Sequence, residues 1–345
     1  MSELRLIDPT RYPQWDQLLF SKPNCSFFHS SAWARVLAES YGFRPIYFAS
    51  FDEGNLSNLI PIMEVGSFVT GRRGVSLPFT DQCQAIFKEE VDYEGLFNNI
   101  IDYGKRRAWR YVEFRGQNQF LSRHIHSYCY YTHKLDLTIP EDQIFSSFRA
   151  STRRNIRKAI RKGVTVDICY SMDSISEFYR LNCMTRRHHG LPPQPFNFFK
   201  KVLDHIILSD QGILLLASYK GKIIAGAVFF HFGDNALFKY GASDMRFQLL
   251  RANNLVLWKA IRWCIEKNLL SVSFGRTWPK HKGLRQFKRG FCSIEEVANY
   301  YRYDLGRETF MANWSRDEER LGKIFHRMPI PVLRIIGTLL YRHFG

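Results

Sequence analysis

The sequence predicts an α/β (α+β) fold in which one mixed unit occurs twice, and three observations lead there. Apolar residues make up 45% and aromatic residues 15% of the 345 positions, the composition of a chain with a large core. Stretches with strand alternation and stretches with helical periodicity interleave along the whole chain. The order of these stretches in the first half recurs in the second, which marks an internal repeat.

Taken in order, WARVLAESY (33–41) reads as a helix, and PIYFASF and NLIPIMEVGSF read as paired strands around a DEGN turn. GVSLPF is a further short strand leading into TDQ. EGLFNNIIDYGKRRAW has helical periodicity and runs into the strand RYVEFRG. In the second half, FNFFKKVLDHIIL reads as a helix, and GILLLASYKGKIIAGAVFFHF reads as a hairpin turning at KGK (220–222). NALFKYGAS is the next strand, and NNLVLWKAIRWCIEKN is a long helix with Asn253 or Asn254 as N-cap. SVSFGR then matches RYVEFRG. The expected division is 1–140 and 141–310 for the two units and 311–345 for a helical tail. Two similar sheets would leave a cleft between them, where ligands prefer to bind.

The formal charge is +17 and the pI about 9.6, a balance that favours polyanions: nucleic acid, anionic lipid or phosphorylated small molecules. The seven cysteines are scattered without a CxxC, so neither a disulfide framework nor a zinc site is indicated. Adjacent His188 and His189 would point about 100° apart on a helix and rarely chelate one ion, so no metal is expected. Their segment, CMTRRHHGLPPQP, reads as a helix end and a Pro-bounded loop. Neither a signal peptide nor a spanning helix is expected, and a cytoplasmic setting, at the inner face of the membrane if membrane contact is made, fits best. PIPVLRIIGTLLYRHFG (329–345) is apolar with interspersed cations. It reads either as a terminal helix packed on the body or as a peripheral membrane contact.

TRRNIRKAIRKG (152–163) carries six basic side chains in twelve positions, all within one half of a helical wheel. Ile156, Ala159 and Ile160 occupy the other half and dock the helix on a core; Gly163 stops it. Like charges at i,i+4 repel, so an anionic partner would offset them.

Three segments carry a family resemblance: FFHSSAWARVLAESYGFRPIYFAS with NLIPIMEV and GVSLPFTD; FRASTRRNIRKAIRKGV; and FKYGAS followed by SFGRTWPKHKGLRQFKRGF. In this order they resemble the Fem-type acyltransferases (FemAB-like, with a BioF2-like acetyltransferase domain), which have two tandem GNAT-like domains. The similar branch is found with bacterial exopolysaccharide and protein-sorting systems, and relatives build peptidoglycan bridges. The resemblance spans about residues 25–305 and implies transfer of an acyl or aminoacyl group to an amine, on a phosphorylated sugar- or lipid-linked acceptor.

It also implies roles for particular residues. The lysine of the family's FKxxF/W pattern falls on Lys288, with Phe291 where relatives often have tryptophan. An arginine-rich helix start beside phosphates falls on Arg153 and Arg154, with Arg157 behind them. Read from the residues alone, Gly275 in SFGR allows close backbone approach and Arg276 projects from the strand end. Arg285 and Lys288 add cations that could bind an anion or stabilise an oxyanion. Lys288 equally reads as a cation snorkelling over an aromatic. Asp81 in SLPFTDQ is either a base that orients the acceptor amine or a turn residue. Tyr240 in FKYGAS is either a general acid or a core tyrosine. GNAT enzymes using acyl-CoA usually carry a glycine-rich Q/R-x-x-G-x-G/A loop. Here its place reads QLLRANN (248–254), without glycine, leaving Gln248, Arg251, Asn253 and Asn254 as donor-binding candidates. The co-substrate is therefore acyl-CoA or aminoacyl-tRNA, with no permanently bound cofactor. The rival readings are a nucleic-acid (tRNA)-binding protein and a non-catalytic peripheral membrane protein with a transferase-like fold.

Overall fold

The computed structural model describes residues 4–20, 22–88, 92–116, 118–291, 294–312 and 318–344. Cys292 lies outside them. The chain forms two compact units: the first comprises 1–130, 297–316 and 339–345, the second 131–296 and 317–338.

The first unit opens with β1 (Leu4–Ile7), α1 (Trp15–Phe20) and α2 (Ser31–Tyr41). Ser30 starts α2 by accepting from the Trp33 N–H, and Gly42 ends it at φ 74°, a left-handed stop that glycine adopts without penalty. β2 (Arg44–Asp52), β3 (Asn55–Ser67) and β4 (Gly71–Val75) follow, then α3 (Tyr93–Arg106) and β5 (Trp109–Arg115). The second unit takes over within β6 (Tyr128–Asp136) and continues through α4 (Glu141–Ser147), α5 (Ala150–Arg161), β7 (Thr165–Cys169), α6 (Met172–His188) and α7 (Phe196–Val202). Next come β8 (Gly212–Tyr219), β9 (Lys222–Phe232), β10 (Asn235–Ser243), α8 (Ala252–Glu266), β11 (Ser271–Thr277) and α9 (Lys282–Arg289). β12 (Ile294–Asp304) leads back into the first unit, where β13 (Thr309–Phe310) pairs with it. α10 (Glu318–Arg327) and α11 (Ile330–Leu340) end the chain.

The repeat is borne out in topology. Strand order in the first unit is β1-β2-β3-β4-β5-β12 and in the second β7-β8-β9-β10-β11-β6. In both orders the fourth and fifth strands pair parallel and the others described pair antiparallel. Each parallel pair is bridged by a helix, α3 or α8, because a parallel connection needs a long crossover. The β2–β3 and β8–β9 hairpins close alike: Glu53–Gly54 (φ 49° and 81°) and Lys220–Gly221 (φ 48° and 72°) have two successive positive φ values, the turn that matches strand twist.

Each unit has its own core. Ile46, Ile62, Ile100, Trp109 and Phe114 belong to the first; Ile156, Leu215, Phe229, Leu255 and Phe274 belong to the second. The first unit also buries Glu113, which accepts from Arg115, Arg302 and the Tyr128 hydroxyl. Burial alone would raise its pKa, but Arg115 and Arg302 hold it far below the usual carboxylate range.

Three local expectations are corrected. Helix α8 is not capped by Asn253 or Asn254. Its N-cap is Arg251, because a 3-10 turn over Met245–Leu250 delivers the chain through a left-handed residue and helix starts at Ala252. Helix α5 is seated by Ile156 and Ala159, whereas Ile160 is 55% exposed and does not dock it. The apolar half of a wheel is wider than the stripe a neighbouring element can cover. FNFFKKVLDHIIL is not one α-helix, since α7 ends at Val202 and a π-helical turn spans Leu203–Ile207.

Candidate active site

In the second unit, β10 and β11 run parallel only briefly, pairing Asn235–Leu237 with Ser271–Ser273. Beyond that point β10 stays bonded to β9 as far as Ser243, and β11 to β6 as far as Thr277. The two parallel strands therefore part, each with an edge of backbone no longer shared with the other. Near the far end of β10 lies a hollow of about 130 Å³, lined by Ser243, Asp244, Gln248, Arg251, Asn253 and Asn254 among others.

The loop around it is firmly held. Ser243 donates its N–H to the Thr185 hydroxyl at 3.0 Å and accepts from the Asn253 amide at 3.2 Å. Buried Asp244 accepts from the Arg246 backbone and guanidinium, and these bonds hold its carboxyl below the ordinary range. Arg251 sits at φ 61°, ψ 28°, and its side chain makes no cap bond to the helix. QLLRANN thus makes with arginine a turn for which glycine is the usual residue. The first-turn N–H groups of α8 carry the positive end of the helix dipole and face anions well. The Arg251 Nε is buried and finds no acceptor among the described residues. So all four donor-binding candidates line one hollow.

Beside this site stands the SFGR…FKRGF segment. Register shifts between Ser273 and Arg276, and Gly275 takes φ 66°, a bulge that re-aims the strand end. Lys288, only 3% exposed, comes from α9 and donates to the Gly275 and Arg276 carbonyls, both at 3.0 Å. Its ammonium stitches the bulge from the side. Arg285 forms a bidentate pair with Glu295 at 2.8 and 2.5 Å and stacks over the Tyr131 ring at 3.7 Å. Its charge is thus committed within the protein. Glu295 also binds His133 Nε2 at 3.0 Å. Burial, and then the charge of Lys288, pushes His133 down to about 4, so the imidazole is neutral at pH 7. His133 and Glu295 escape a sequence reading because 162 positions separate them and neither lies in a recognisable motif.

The remaining candidates have varied surroundings. Arg153 donates to the Ser146 carbonyl at 2.7 Å, Arg157 lies over the Phe145 ring, and Arg154 is exposed. The start of α5 is tied to the end of α9 by the Arg149 N–H donating to the Gly290 carbonyl at 3.0 Å. Tyr240 is half-buried, with its ring against Phe198 and Phe199. Asp81 belongs to the first unit, where its backbone carbonyl accepts from the Tyr300 hydroxyl at 2.5 Å. Among the described residues no group of three His, Cys, Asp or Glu could hold a metal ion, and no helix is long and apolar enough to cross a membrane.

Comparison with known proteins adds the family context. Residues 146–289 match the family model described as an acetyltransferase (GNAT) domain. A UDP-N-acetylmuramoylpentapeptide-lysine N(6)-alanyltransferase of Weissella viridescens is 23% identical over 185 residues, 53% of each chain. The match thus spans about half the length of that curated relative. Among solved structures, FemX superposes with a TM-score of 0.67 at 14% identity, covering 86% of this chain and 96% of that one. A tandem GNAT protein from the clavulanic acid biosynthesis pathway gives 0.57 at 8% identity, covering 88% and 99%.

Proposed function

From a FemAB-like chain that carries a GNAT domain and shares its fold with FemX, we propose an N-acyltransferase. It would move an acyl or aminoacyl group from an activated donor to an amine on a cell-envelope precursor. The parting of β10 from β11 beside the Arg251 hollow is the observation that carries this reading. An extended acyl arm can lie against the unshared strand edges while phosphates meet the α8 N-terminus and the Arg251 guanidinium.

In the transfer step the amine lone pair attacks the donor's carbonyl carbon, and the carbonyl π electrons move to oxygen. The tetrahedral oxyanion then collapses and expels thiolate or ribose alkoxide, which takes up the proton lost by the amine. No covalent enzyme intermediate is needed. Lys288 holds the bulge at Gly275–Arg276 in shape, and its fixed charge favours the oxyanion. Within the second unit Tyr240 is the proton-transfer candidate, and Arg153, Arg154, Arg157 and Arg276 are the candidate contacts to an acceptor's phosphates. Arg285 is better assigned to holding Glu295. Such chemistry suits a cytoplasmic enzyme acting on a sugar- or lipid-linked phosphate.

Titration of the full chain with acetyl-CoA and, separately, with alanyl-tRNA tests the reading. The acylation assay then uses a UDP-linked muramoyl pentapeptide, followed by mass spectrometry. Expected is saturable binding of one donor, weakened by Arg251→Ala, and an amide product. Binding of neither donor, with no acylated amine, would overturn it. Binding of deacylated tRNA and duplex DNA as tightly as charged tRNA would favour the nucleic-acid reading instead.

A further inference from the structure

Where β10 loses its parallel neighbour, helix α6 takes hold of its end. The strand pairs with β11 only as far as Leu237, yet it stays paired to β9 up to Ser243, opposite Ala225. At Ser243 the backbone N–H donates to the Thr185 hydroxyl at 3.0 Å, and the same hydroxyl donates to the Ser243 carbonyl at 3.2 Å. A strand residue directs its N–H and C=O to the same side, so both groups of Ser243 point away from β9. That is the side β11 served before the strands parted. One hydroxyl, with its single donor and its lone pairs, thus stands in for the missing strand.

Within a helix, threonine can satisfy its hydroxyl on the carbonyl one turn earlier. Thr185, in the last turn of α6, sends it to β10 instead. The helix grips the same rim at a second point. Arg180 donates to the Ile223 carbonyl at 2.9 Å, one residue before Ile224, which lines the hollow with Ala225. The Asp244 N–H extends the β9–β10 contact by donating to the Ile224 carbonyl at 2.9 Å.

From Ser243 the connection continues to α8. The Asn253 side-chain amide donates to Ser243 Oγ at 3.2 Å, which sets how this first-turn side chain faces the hollow. Asn253 is exposed, so without that bond its side chain would exchange rotamers in water. Thr185 itself stands behind the lining and reaches the hollow through Ser243.

We propose that Thr185 is a positioning residue for the donor. Through Ser243 and Asn253 it holds the rim of the hollow and the first turn of α8 in the relation that donor phosphates require. This role rests on the assignment of the hollow to an activated donor, and it concerns donor binding, not the transfer step.

The test compares Thr185→Val, which keeps the shape and removes the hydroxyl, with Thr185→Ser, which keeps the hydroxyl. Acetyl-CoA and alanyl-tRNA are titrated against each full-length variant, and KM for the UDP-linked muramoyl pentapeptide is measured beside that for the donor. Thr185→Val should raise the donor's dissociation constant about tenfold and leave the acceptor's KM within about twofold, and Thr185→Ser should restore binding to within about threefold. Amide hydrogen exchange over residues 243–254 should quicken in the valine variant and stay unchanged in β7 and β8. Adding Asn253→Ala to Thr185→Val should cost little further affinity, because the two side chains act in series.

The proposal fails if the valine variant binds donor like wild type, or if the serine variant binds as poorly as the valine one. It fails too if the acceptor's KM rises as much as the donor's, or if the two substitutions are additive. Should the valine variant not fold, Ser243→Ala deletes the link to Asn253 while keeping both backbone bonds. It carries the same direction of effect, and wild-type affinity in it would overturn the role. A wild type that binds neither donor overturns the assignment of the hollow and this role with it, whereas a bound donor with unaltered affinity in the valine variant overturns the role alone.

Discussion

Replacing Arg251 by glycine and, separately, by alanine separates two things that arginine does at the start of α8. Its backbone is left-handed, at φ 61° and ψ 28°. A residue with a Cβ pays about 1 kcal/mol for that conformation, and glycine does not. Alanine keeps the penalty and glycine removes it, whereas both delete the guanidinium. Urea unfolding should therefore find Arg251→Gly more stable than Arg251→Ala by about 1 kcal/mol. Donor binding should fall together in both, because the same charge is lost. One charge-assisted hydrogen bond to a phosphate is worth about 1.5–3 kcal/mol, so the dissociation constant should rise about ten- to a hundredfold. Calorimetric titration with the donor that binds the wild type reads this directly. Equal stability of the two variants would refute the left-handed turn. Undiminished donor binding by the glycine variant would refute the guanidinium contact.

Other expectations follow from the same site. Lys288→Met keeps the stem but leaves the Gly275 and Arg276 carbonyls without their donor, and should cost about 2–4 kcal/mol in chemical denaturation. A loss below 1 kcal/mol would mean that water replaces the ammonium. At Gly290 a Cβ would lie 2.5 Å from the Thr152 hydroxyl oxygen, so Gly290→Ala should destabilise by about 1–3 kcal/mol. The added variant Thr152→Ala should restore much of that, and strict additivity of the two would exclude the clash. His133 has a depressed folded-state pKa, so below pH 6.5 the unfolded chain takes up a proton that the folded chain refuses until about pH 4. Stability should be intact above pH 6.5 and decline between those values, by an amount on the order of 2–3 kcal/mol. Glu295, held below its ordinary range by Arg285, adds loss at lower pH still. His133→Gln should flatten the slope between pH 6.5 and 4, and an unchanged slope would shift the effect to other groups.

The sequence by itself determined the hairpins β2–β3 and β8–β9, the helices α2, α3 and α8, the duplicated unit and the amphipathic character of helix 152–162, but not β6, β7 or β12. Those features reside in periods of 2 and 3.6 residues and in local turn chemistry, which a linear reading captures. Both hairpin turns, at DEGN and KGK, were legible for the same reason. It also gathered Gln248, Arg251, Asn253 and Asn254 as candidates, because they are near neighbours in one segment. What the local pattern could not decide was how each charge is used. Arg285 and Lys288 look alike in LRQFKRGF, yet one is neutralised by Glu295 while the other is buried on two carbonyls. His133 enters the site through pairing of β6 with β11, an arrangement with no local signature. Ile160 looked like a core residue and faces water, since only the packed neighbour determines how wide the buried stripe is. The glycine absent from QLLRANN did not remove the turn, because tertiary packing holds Arg251 in the left-handed conformation. Local sequence fixes which elements form; the contacts made across long separations decide which side chains remain available for chemistry.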